Sequence, residues 1–125
     1  MYRMLLIAFG GAIGCVLRYL VSSNVYRFVG RDFPYGTLVV NALGSLLVGF
    51  LFVLLIEYVD SIADQFRSLL IVGFLGGFTT FSSFSLETIN LIESGDWPRA
   101  LMNIVISVSV CLGLTWMGIL LGRQL

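Results

Sequence analysis

The chain has no histidine and no lysine, and its 125 residues hold only seven arginines and seven acids. Without histidine there is no Ser-His-Asp or Cys-His nucleophile and no His-based metalloprotease motif. No glycine-rich loop runs into Gly-Lys-Ser, so nucleotide phosphate has no visible cradle. A formal net charge of zero leaves no basic face for nucleic acid. Two cysteines, Cys15 and Cys111, both stand in apolar runs. The expectation there is a pair of small buried thiols and not a disulfide framework. An enzyme is not expected.

What remains is apolar. Hydrophobic residues make up 58% of the sequence, charged ones 11%, and the mean hydropathy is +1.01. That balance belongs in lipid. The length suits a single domain over residues 1–125. Charge-free intervals at 33 to 56, 68 to 86 and 100 to 122 are each close to the roughly 20 residues a spanning helix needs. The first apolar run, 4 to 17, must extend past Arg18 to cross. Arg3 ahead of this run and Ala12-Ile13-Gly14-Cys15 within it faintly resemble a lipoprotein signal, but the run continues to Val25. It reads as a retained crossing. The fold class predicted is an all-α membrane protein with four transmembrane helices, at about 4–26, 35–57, 67–92 and 99–122.

Four crossings put Arg3, Arg67 and Arg123 on one side and Arg27, Arg31 and Arg99 on the other. Three against three gives the positive-inside rule no bias to read. Either both orientations insert, which suits an antiparallel homodimer, or a partner or shifted helix ends set the topology.

The apolar segments carry residues that a plain anchor would not use. Gly10, Gly11 and Gly14 form a small face for close helix approach. Arg18 is costly inside a crossing unless it snorkels, pairs or lines a wet vestibule. Asn41 brings a carboxamide that must be satisfied without water, as interhelical glue or as a donor to a passing anion. Gly76-Gly77 before Thr79-Thr80 is a poor helix interior, and a break there would free carbonyls that can face a cation. Phe81 and Phe84 share a face, and their positive ring edges could bracket an anion; ordinary packing is the alternative. Glu87 lies one turn further, as a vestibule or solvated carboxylate. Asn103 and Ser107, four apart, share a face of the last segment.

Three blocks resemble the Fluc/CrcB family of fluoride channels: Gly10-Gly11-Ala12-Ile13-Gly14 leading to Arg18-Tyr19; Pro34-Tyr35-Gly36-Thr37-Leu38 through Asn41 to Gly44; and Gly73 through Ser85. The resemblance implies a dual-topology antiparallel homodimer with a broken third helix and two pores, passing fluoride passively out across the inner membrane. It implies a structural sodium ion held by the backbone carbonyls of Gly76 and Thr79. Asn41, Phe81 and Phe84 match the family's pore residues, Ser83 stands where threonine is common, and Ser107 and Asn103 correspond more loosely. Arg18 and Glu87 are left to the vestibules. The rival readings are a small proton-coupled exporter, for which the first segment lacks a carboxylate, and a non-transporting scaffold whose polar residues only join helices.

Overall fold

A computed structural model of the chain describes residues 1–57 and 63–125. Its secondary structure is entirely helical among these residues, and four helical runs are long and apolar enough to cross a membrane. The protein is a multi-pass membrane protein. Helix α1 spans Tyr2–Val29 and ends at Gly30, whose φ of 85° lies where a side chain is strained. Helix α2 spans Tyr35–Phe52 behind Pro34 and continues as the wider π-helix over Val53–Glu57. The third run comprises α3 (Ala63–Phe66), a π-helical stretch Arg67–Leu75, α4 (Gly76–Phe78) and α5 (Phe81–Glu93). Helix α6 spans Trp97–Arg123, with Pro98 in its first turn, where a missing N–H costs little.

The second crossing runs Tyr35–Glu57 as expected, and the other three extend a few residues beyond their expected ends. Charge spacing placed Arg67 and Arg99 at the mouths of their segments, but both lie inside helix because snorkelling side chains let a helix outrun its apolar core. The loop expected at 58–66 is helical from Ala63, and its residues 58–62 lie outside those described. The cysteine expectation is also corrected. Both thiols are free, with Cys15 exposed and Cys111 only half-buried, because the thin bundle turns most of each helix outward.

Glycine decides the packing. Helix α1 lies against the third run so closely that a Cβ on Gly14 would meet the Phe74 carbonyl oxygen and come within 2.9 Å of the Phe78 amide nitrogen. Gly10 meets Leu69 and Phe74 backbone in the same way. Helices α2 and α6 repeat the device, Gly49 against Thr115 and Gly118 against Leu46. Backbone approach of this kind lets van der Waals contact hold helices together where lipid removes the hydrophobic drive. Large apolar side chains such as Phe9, Leu101, Leu112 and Trp116 are left facing outward.

Gly14→Val should therefore cost at least the roughly 1–3 kcal/mol of ordinary overpacking, since the obstruction is backbone. Size-exclusion profiles in detergent check this: Gly14→Val is expected to aggregate, and Gly113→Ala, with nothing within 4 Å of its Cβ, to run as the parent does. A normal Gly14→Val profile would contradict the packing.

Charges gather at the two ends of the bundle. At one end Arg3 and Arg67 reach Asp64 at 3.1 and 3.2 Å, and Arg123 reaches Glu57 at 3.0 Å. At the other, Arg99 pairs with Asp96 at 3.3 Å, and the Arg31 guanidinium lies 4.6 Å from the Tyr26 ring centre. Exposed pairs contribute about 0–1 kcal/mol each, so they trim the ends and do not hold the bundle.

Candidate functional site

The helical path is interrupted at Thr79 and Thr80, whose backbones are extended at φ −86°, ψ 160° and φ −153°, ψ 118°. The backbone polar groups released there need partners, because membrane interiors supply no water. Asn41 on α2 supplies them. Its Oδ1 accepts from the Thr80 amide at 2.8 Å, and its Nδ2 donates to the Thr80 carbonyl at 2.9 Å. The carboxamide thus takes the place of a helical neighbour for Thr80. It retains one N–H and one acceptor site.

Two further bonds shape the interruption. The Thr79 amide and hydroxyl both donate to the Leu75 carbonyl, at 3.0 and 2.9 Å. The Thr80 hydroxyl caps α5 by accepting from the Ser83 amide at 3.1 Å. With the Thr80 amide given to Asn41, the Gly76 carbonyl is without the helical donor an unbroken α-turn would give it. Gly44 permits the approach of α2, since a Cβ there would collide with the Thr79 methyl.

Beside this interruption opens a cavity of about 400 Å³, reached by Asn41, Gly76, Thr79, Phe81, Phe84 and Ser107. The two rings lie 5.3 Å apart at 39°. Phe81 is 76% exposed, so in the single chain its ring forms an open rim. The cavity is mostly apolar, with Asn41, Ser45, Thr79, Thr80 and Ser107 as its polar lining residues.

Other predicted residues stand elsewhere. Ser83 and Arg18 line a second cavity of about 240 Å³ together with Cys15, Ser22 and Thr37. Ser83 precedes Phe84 by one residue and follows Phe81 by two, so helical geometry turns it to another side of α5. Thr80 reaches both cavities. The Glu87 carboxylate accepts from the Tyr26 hydroxyl at 2.6 Å and from the Thr37 hydroxyl. Asn103 is 1% exposed and bonds between α5 and α6 without reaching either cavity.

Sequence reasoning singled out Asn41 but not its partner Thr80, nor Thr37 and Tyr26 around Glu87, nor Thr88 beneath Phe84. Thr80 carried a usable signal, a threonine three residues ahead of the amide it caps. The others carried none, because Glu87 is 61 and 50 residues from Tyr26 and Thr37, and the Asn103 that bonds Thr88 stands on another helix.

The model of the family described as CrcB-like protein, Camphor Resistance (CrcB), matches residues 5–119. The chain belongs to the CrcB family. Relatives within it are named fluoride-specific ion channel FluC. The one from Coxiella burnetii strain Dugway is 51% identical over 98% of this chain and 99% of its own length. That from Geobacter metallireducens is 48% identical over the whole of both chains, and that from Magnetococcus marinus 49% over 94% of each. Family membership places the chain among channels and not among enzymes.

Proposed function

We propose that this protein is a fluoride-selective channel that lets the anion leave the cell passively across the inner membrane. The observation that carries the reading is the meeting of Asn41, Ser107 and the Phe81–Phe84 ring pair at one cavity beside interrupted backbone. The naming of full-length relatives as fluoride-specific channels supports it. A small, strongly hydrated anion needs its water replaced by donors; an N–H of Asn41 is one, and the Ser107 hydroxyl becomes another when it turns away from Asn103. Ring edges add polarised but weak contacts, so the anion is not trapped.

The working unit on this reading is an antiparallel homodimer with two pores and a broken third helix. Two features support it. The exposed Phe81 leaves one wall of the cavity open in the single chain, which a second copy would close. Three arginines toward each end give neither orientation an advantage. Arg18 and Ser83, with the Glu87–Tyr26–Thr37 cluster, would form the vestibule where the ion gains or loses its water.

A sodium ion between subunits would be held by the carbonyls of Gly76 and Thr79 from both copies. The residues fit such an ion: the donors are hard oxygens, Gly76 has lost its helical partner, and Thr79 has extended backbone. When bound, sodium supplies positive charge that offsets carbonyl dipoles brought face to face.

Purified protein in liposomes tests the function. Fluoride is expected to leave down its gradient without a proton gradient, while chloride stays inside. Chloride efflux as fast as fluoride efflux would overturn the reading.

A further inference from the structure

Behind the cavity wall runs a chain of buried hydrogen bonds. The Thr88 hydroxyl donates to the Phe84 carbonyl at 2.7 Å, Asn103 Nδ2 donates to Thr88 Oγ1 at 2.9 Å, and the Ser107 hydroxyl donates to Asn103 Oδ1 at 3.1 Å. The direction is forced from one end. A carbonyl only accepts, so Thr88 must spend its single proton on Phe84 and can only accept from Asn103. The amide therefore turns its NH₂ to Thr88 and its oxygen to Ser107. Ser107, which lines the cavity, must then give its proton to Asn103.

The consequence concerns the anion. In this arrangement Ser107 offers the cavity its oxygen lone pairs, which repel negative charge. Its hydroxyl can serve an anion only by turning away from Asn103, which leaves the buried Asn103 oxygen without its partner. We propose that Asn103 and Thr88 are positioning residues that compete with the anion for the Ser107 proton and so keep binding weak enough for release. The inference rests on the channel reading above and gives Asn103 a role in which it never touches the ion.

Two variants test it in the liposome assay. In Asn103→Asp, a neutral carboxylic acid reproduces the amide's donor and acceptor, but an ionised carboxylate grips the Ser107 proton in a charge-assisted bond. Its fluoride flux is expected near the parent's at about pH 6 and to fall about tenfold or more by about pH 8.5, as the buried acid ionises. The parent should vary less than about twofold over this range, because a carboxamide does not titrate there. Thr88→Val frees the Asn103 amide to turn, so that Ser107 points its proton at the cavity. Flux through it should saturate at roughly tenfold lower fluoride, whereas Thr88→Ser, which keeps the hydroxyl, should saturate as the parent does. A pH-independent Asn103→Asp flux overturns the inference, and so does Thr88→Val saturating where Thr88→Ser does. A parent protein that passes no fluoride would instead overturn the channel reading itself.

Discussion

Phe81→Ile protein is expected to reconstitute normally and to lose most of its fluoride flux. The two halves of that result have different causes. Phe81 is 76% exposed, so its ring contributes little packing within the chain, and surface substitutions usually stay within about 0.5 kcal/mol. Isoleucine keeps apolar bulk but has no quadrupole. Loss of the positive ring edge removes an electrostatic contact of the order of 1–2 kcal/mol, taking the known strength of ion–ring contacts as a guide. That alone is about tenfold. The tilted partner ring of Phe84, 5.3 Å away, also loses its neighbour, so the decrease should exceed tenfold. Fluoride efflux per milligram of reconstituted protein is the measurement, with the size-exclusion profile as a folding control. Unchanged efflux would mean that the rings only pack.

The sequence was most informative where chemistry is dictated by the solvent. Three charge-free intervals and a first run that carries Arg18 are long enough to cross lipid, and the chain forms four helices long and apolar enough to do so. Their ends were harder to read, because arginine carries its charge on a long stem: Arg67 and Arg99 marked the limits of apolar composition and not of helix. The polar residues could be named but not grouped. Phe81 and Phe84 fall together by helical spacing alone, yet Asn41 shares their cavity through folding that pairs it with Thr80, 39 positions along the chain. Ser83 is the opposite case. The resemblance groups it with the rings, while its angular position on α5 sets it in the smaller cavity with Arg18. Asn103 was readable as interhelical glue or as lining, and its choice of Thr88 depends on how α5 and α6 cross, which no local pattern encodes.

Asn41→Asp should reduce transport further than Phe81→Ile. Aspartate is close to asparagine in shape and still accepts from the Thr80 amide, so half of the bidentate contact survives. The Thr80 carbonyl, which now receives the Asn41 N–H at 2.9 Å, would instead face a carboxylate oxygen. An unsatisfied buried acceptor costs about 1–3 kcal/mol, which the rest of the bundle can absorb. The anion meets a harsher change. A negative charge about 4 Å from its path, at an effective dielectric of about 20, raises its energy by about 4 kcal/mol, roughly a thousandfold in occupancy. Asn41→Leu separates the two effects, since it leaves both Thr80 groups unpaired but adds no charge. The leucine variant is expected to aggregate in detergent, and the aspartate variant to remain monodisperse while its fluoride efflux falls to the level of empty liposomes. Near-normal efflux through Asn41→Asp would place the ion's path away from Asn41, and the carboxamide would then serve the Thr80 backbone alone.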